Sequence, residues 1–229
     1  MIDNLIQIAG IVDEKEARTV IDCGVEFLGF PLRLPVHKED LSEDDARKII
    51  SDFPENVRGV LITYLDNAKE IIDFVNFLNV NFVQLHGEIE LPQIEKVKSL
   101  KPKLEIIKSL IVRGDNLPQL ENEIRKFENA IDYFITDTFD PKTGATGATG
   151  KTHDWKISRK ITELSIKPVI LAGGLNDDNV YDAIKFVKPF GVDSHTGVEN
   201  SSGRKDQKKI KRFLSEAKRA FDEIKGLEI

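Results

Sequence analysis

The chain has 229 residues, with 33 Lys plus Arg against 39 Asp plus Glu and a net charge of −6. That acidic balance argues against a nucleic-acid or anionic-membrane partner, either of which needs an excess of positive charge, and favours a small-molecule ligand. The single cysteine, Cys23, excludes an intrachain disulfide and a cysteine-rich zinc site; with no secretion signal and no apolar run near 20 residues, a soluble protein in the cytoplasm is expected.

In chain order, short apolar runs alternate with longer amphipathic ones, the pattern of repeated βα units. Strands are predicted over Leu5 to Ala9, Glu26 to Phe30, Gly59 to Thr63 and Phe82 to Leu85, then Leu104 to Leu110, Tyr133 to Thr136, Val169 to Ala172 and Gly191 to Asp193. The helices between them begin near Asp13, Ser42, Asn67, Glu90, Leu117, Trp155, Asp177 and Arg204, several on a residue suited to an N-cap. No linker divides the chain, so residues 1–229 read as one α/β domain, a single eight-stranded parallel β/α barrel. Between the sixth strand and its helix lies Gly144-Ala-Thr-Gly-Ala-Thr-Gly150, which reads either as a mobile loop over the barrel mouth or as an inert surface loop. Cys23, near the end of the first helix, reads as a buried structural thiol.

Functional groups of such barrels sit where each strand ends. The seventh window, Pro168 to Leu175, carries Gly173 and Gly174, whose bare backbone lets amides approach an anion closely. The eighth, Gly191-Val-Asp-Ser-His-Thr-Gly-Val198, adds Thr196 and Gly197. These adjacent windows match the usual barrel phosphate site; a tight turn at the paired glycines is the plainer reading.

At these positions the chain resembles the phosphoribosylanthranilate isomerase family of tryptophan biosynthesis. The similarity runs over nearly the whole chain and is carried by Val83-Gln-Leu-His-Gly87, Gly147 to Trp155, Ile170 to Leu175, Gly191-Val-Asp193 and Thr196 to Glu199. It implies an Amadori rearrangement of a phosphoribosyl-linked amine, without a cofactor and without a metal, in a monomer or homodimer. It also implies that Asp137, at the end of the sixth strand, is the general acid that opens the sugar ring, and that Gly150 belongs to the ligand-binding loop. An aspartate does this only if its pKa rises toward neutrality.

The family's base is a cysteine in the string Lys-Ile-Cys-Gly. Here that string is Gln7-Ile8-Ala9-Gly10, and a methyl group cannot accept a proton. His195 is the candidate replacement, because the last strand of a closed barrel neighbours the first; donation to the phosphate is the alternative. The family's carboxylate-binding arginine is also missing from the second loop, where His37-Lys-Glu-Asp40 stands. Arg33 is either a substitute for it or a solvated loop residue. His86 is a second candidate proton carrier or substrate-binding residue, which the resemblance implies to be a positioning or packing residue, and His153 and Trp155 read as anchors of the sixth loop. A changed substrate and a non-catalytic phosphosugar-binding barrel stay open as alternatives.

Overall fold

A computed structural model describes residues 4–35, 41–114, 116–138 and 154–226. Eight strands close a barrel in sequence order: β1 Leu5–Ala9, β2 Phe27–Pro31, β3 Arg58–Thr63, β4 Phe82–Leu85, β5 Glu105–Val112, β6 Tyr133–Thr138, β7 Val169–Leu171 and β8 Gly191–Ser194. The helices around them are α1 Glu14–Asp22, α2 Glu43–Ser51, α3 Ala68–Leu78, α4 Leu91–Leu100, α5 Leu117–Phe127, α6 Trp155–Leu164, α7 Val180–Val187 and α8 Gln207–Lys225. A 3₁₀ turn, Thr196–Val198, follows β8.

Local chemistry sets the helix starts. Asp13, Ser42 and Asn67 each accept a backbone N–H in the first turn of α1, α2 and α3, and each lies in extended backbone just before its helix. The last two helices start later than the residue pattern suggests. Asn176 to Asn179 form a side-chain-bonded turn before α7, and Asp206, not Arg204, caps α8. Arg204 instead pairs with Asp13 and Glu16 on the far side of the closing seam, tying the last loop to α1. Cys23 is only half-buried, its thiol near the carbonyl of Gln207; as the residue after α1 it sits at a helix edge and not within the core.

All neighbouring strands pair in parallel, including β8 with β1, and the registers slip steadily round the barrel as closure requires. Inward residues of alternate strands therefore stack in layers. Phe27 and Phe82 lie near the bottom, edge to face at 5.4 Å. Gln7, Val60, Ile107 and Ile170 come next, then Gly29, Gln84, Ile135 and Asp193, then Ala9, Ile62, Ser109 and Ala172. Continuing the same registers puts Pro31, His86, Asp137 and His195 at the rim. Most of the apolar core lies outside this ring, between strands and helices, as a second cluster that includes Leu28, Phe30, Phe74, Phe134 and Phe213. No helix among the described residues is long and apolar enough to cross a membrane.

Candidate active site

Polar side chains collect in the upper layers of the barrel and touch one another across it. Gln7 on β1 donates from Nε2 to Asp193 Oδ1 on β8 at 3.0 Å and to Gln84 Oε1 on β4 at 3.3 Å. Gln84 donates to Ser109 Oγ at 3.4 Å, and Ser109 Oγ lies 3.0 Å from His86 Nδ1. His86 Nδ1 is in turn 3.8 Å from Asp137 Oδ2, so the chain of contacts runs from β8 to β6. Such groups cost stability unless they are paired, so their concentration at one end of the interior marks a functional site.

The two carboxyls are the most perturbed members. Burial pushes Asp137 up to about 7, although the Thr138 N–H, donating to Oδ1 at 2.7 Å, pulls the other way. Burial pushes Asp193 up to about 7 as well; the Gln7 bond lowers it and the charge of Asp137 raises it. Each keeps some surface open, because the barrel mouth lies above them. Neither has a direct ion pair with a lysine or arginine among the described residues, and the charge of Lys205, which favours the ionised form of Asp193, is outweighed by burial.

His195 follows β8, before the 3₁₀ turn, beside the start of the β1 loop. Its imidazole lies where a side chain on Gly10 would stand: a Cβ there would come within 1.9 Å of Nε2, and Gly10 has a φ of +78° that already favours glycine. The ring thus borders Ala9 across the closing seam. Burial and the Lys205 ammonium push His195 down to about 3, which keeps it neutral. Lys205 donates from Nζ to the His195 carbonyl at 3.0 Å and to Glu199 at 2.7 Å, fixing the turn that carries the histidine.

The seventh and eighth loops converge. Ser194 Oγ donates to the Leu175 carbonyl at 2.8 Å, and a Cβ on Gly197 would fall 1.9 Å from that same oxygen. Gly197 is therefore a glycine because two backbones meet there. Gly173 and Gly174 adopt φ values of +101° and +68°, and Thr196 opens the adjacent 3₁₀ turn. Main-chain amides of these residues border one corner of the mouth. With Lys205 committed to Glu199, an anion there would rely on those amides.

Arg33 is held by residues of its own chain. Its fork is engaged by Glu43 at 2.8 and 3.0 Å and stacks 3.8 Å over Phe74, so the guanidinium already holds a carboxylate of its own chain. His86 is fixed from two sides, by Ser109 and by the edge of the Tyr64 ring. Trp155 opens α6 and packs partly buried against the outer core. Gly150, His153, most of the Gly147 to Trp155 string and His37 to Asp40 lie outside the described residues. No group of three or more His, Cys, Asp or Glu among the described residues is placed to hold a metal.

Residue patterns alone left out Gln7, Gln84, Ser109 and Asp193 as members of the site. The available signal was alternation: Gln84 and Asp193 stand two residues before His86 and His195, so each pair faces the same side of its strand.

A closed parallel barrel with two buried carboxyls beneath converging glycine loops at the C-terminal ends of its strands has the layout of a β/α-barrel enzyme. Comparison with known proteins narrows this class. The family model for N-(5'-phosphoribosyl)anthranilate isomerase matches residues 6–216. N-(5'-phosphoribosyl)anthranilate isomerase 2 of Methanosarcina mazei is 36% identical over 225 residues, 98% of each chain. The crystal structure of the Thermotoga maritima phosphoribosylanthranilate isomerase superposes with a TM-score of 0.79 at 30% identity, over 94% of this chain and 98% of that one. Another structure of a phosphoribosylanthranilate isomerase, in complex with reduced 1-(o-carboxyphenylamino)-1-deoxyribulose 5-phosphate, gives a TM-score of 0.76 at 28% identity, over 94% and 98%. The chain belongs to the N-(5'-phosphoribosyl)anthranilate isomerase family.

Proposed function

We propose that this protein isomerises N-(5'-phosphoribosyl)anthranilate to the carboxyphenylamino-deoxyribulose phosphate, with Asp137 as the acid that opens the ring. The observation that carries this reading is an aspartic acid at the barrel rim whose pKa burial pushes up to about 7, at the same end of the barrel as the converging glycine loops. A carboxyl near the usual 3.9 is ionised at neutral pH and has no proton to give. One near 7 is protonated in a large fraction of molecules, and its conjugate base is still stable enough to form.

The glycine loops after β7 and β8 would hold the 5-phosphate through backbone N–H groups, with Thr196 adding a hydroxyl. Held at that end, the furanose extends over the floor of the mouth toward Asp137. Protonation of the ring oxygen breaks its bond to C1 as the nitrogen lone pair forms the iminium. Loss of the C2 proton then gives the enamine, which tautomerises to the ketone. His86, held by Ser109 and lying 3.8 Å from the Asp137 carboxyl, positions that acid. His195 stands at the rim as a neutral imidazole, suited to donating a hydrogen bond to a phosphate or sugar oxygen more than to taking a proton from carbon.

Mixing the protein with N-(5'-phosphoribosyl)anthranilate and following the loss of anthranilate fluorescence tests the reading. Steady turnover, together with rescue of a tryptophan auxotroph lacking this isomerase, is expected. Tight binding of the reduced product analogue without turnover would instead favour a phosphosugar-binding barrel, the reading that Ala9 recommends.

A further inference from the structure

Ala9 leaves the family's proton-abstracting position without a base, and a second carboxyl stands directly below it. We propose that Asp193 is the base, its carboxylate taking the proton from C2 of the ring-opened sugar. This inference rests on the substrate reading above.

The placement follows from the register. Asp193 pairs with Gln7, and the slip of the barrel sets its height between Gln7 and Ala9 on the neighbouring strand. Gln7 and Ala9 are themselves buried, as are Gln84 and Ile135 of the same layer, yet Asp193 keeps accessible surface. That surface can open only upward, past a side chain that is no more than a methyl group. Gln7 fixes one oxygen, Oδ1, at 3.0 Å, while Oδ2 makes no hydrogen bond with any described residue. A fixed carboxylate with one free lone-pair edge toward the mouth is the geometry a base needs.

The groups around it fit the role. Gln7 from β1 and Gln84 from β4 are uncharged, Asp137 faces it from β6, and Lys205 lies beyond the 3₁₀ turn, committed to Glu199. His195 is the competing candidate, but its ring lies against Gly10 with Nε2 3.7 Å from Glu199, and Lys205 and burial depress its basicity. Burial raises both carboxyls toward neutrality, and the charge of Asp137 adds to the rise at Asp193, so around neutral pH one can be protonated while the other is ionised.

The protons balance. Asp137 gives its proton to the ring oxygen and becomes a carboxylate. Asp193 takes the C2 proton, and the C–H electron pair forms the C1–C2 double bond while the iminium electrons return to nitrogen. The resulting enol loses its O2 proton as the C2 carbonyl forms, and C1 gains a proton, which Asp193 can return. The O2 proton replaces the one Asp137 gave up, so the enzyme ends as it began.

The experiment compares wild type with Asp193→Asn on N-(5'-phosphoribosyl)anthranilate, with affinity for the reduced deoxyribulose phosphate analogue as the readout of an intact site. The expected result is a fall in kcat of about 10²- to 10⁴-fold with analogue affinity retained. A kcat within about threefold of wild type, well short of the loss of a general base, would overturn the assignment. Should Asp193→Asn fail to bind the analogue, Gln7→Lys decides instead. An ammonium beside Asp193 favours its ionised form, so the acid limb of the pH–kcat profile should move down by about one unit or more; an unmoved limb counts against Asp193. A wild-type protein with no turnover at all would remove the substrate reading, and this inference with it, whereas full activity of Asp193→Asn removes the inference alone.

Discussion

The lower and upper layers of the barrel interior are built from the same alternating strand positions, yet they are filled for opposite ends. Below, Leu5, Phe27 and Phe82 form an apolar plug, and Val60, Ile107 and Ile170 cover it at the height of Gln7. From Gln7 upward, β1, β4, β5, β6 and β8 present Gln7, Gln84, Ser109, Asp137 and Asp193, joined by few and partly long hydrogen bonds. The plug gains roughly 1.5–3 kcal/mol for each large side chain it buries. The polar tier gives back part of that gain by holding two carboxyls in a site that disfavours their charge. Stability and chemistry are thus divided by height along the barrel.

The division can be broken from either side. Asp137→Asn should lower kcat by about 10²- to 10⁴-fold without unfolding the protein, as single-turnover kinetics and thermal melts would show. Phe82→Ala should do the reverse: a loss of roughly 3–5 kcal/mol in denaturant unfolding, with kcat little changed in the molecules that stay folded.

The pH dependence of stability sharpens the contrast. Because the folded-state pKa of Asp137 is raised from 3.8 to about 7, the folded protein binds the proton more tightly than the unfolded chain does. This favourable contribution is present at low pH and is lost as pH rises from about 4 to about 7. Asp137→Asn should therefore gain stability relative to wild type at pH 8, by up to about 4 kcal/mol, and gain much less at pH 4. His195 acts in the other direction. Its depressed pKa makes it stabilising above about 6.5 and progressively destabilising toward about 3, equally in both proteins, so it cancels from the comparison. The smallest effect is expected of Ser109→Ala, which removes the link between Gln84 and His86. It should cost about 1 kcal/mol in unfolding and lower kcat only a few-fold.

The barrel was legible in the sequence because each strand is a short apolar run followed by a capped amphipathic segment, and all eight strands fall within a residue or two of the predicted bounds. Asp13, Ser42 and Asn67 announced their helices because a cap is a local bond. Arg204 misled because its partners, Asp13 and Glu16, are nearly the whole chain away. In the site the same distinction holds. Asp137, His86 and the paired glycines were legible as candidates because they stand at strand ends, and for Asp137 and His86 because the resemblance to the family points to those positions. Asp193, Gln84 and Ser109 could not be ranked, since a polar residue inside a strand shows its height in the barrel only when the register with its neighbours is known. Nor does the sequence show that Arg33 is engaged by Glu43, a contact that depends on how the second loop folds back onto α2.

In the proposed mechanism a pair of buried carboxyls divides the proton work, one giving and one taking. The pH dependence of kcat for the unmodified protein on N-(5'-phosphoribosyl)anthranilate addresses it most directly. A bell with its maximum near neutrality and falling limbs on both sides is expected, since activity needs one carboxyl protonated while the other is ionised. A rate that stays level from pH 5 to pH 9 would contradict it.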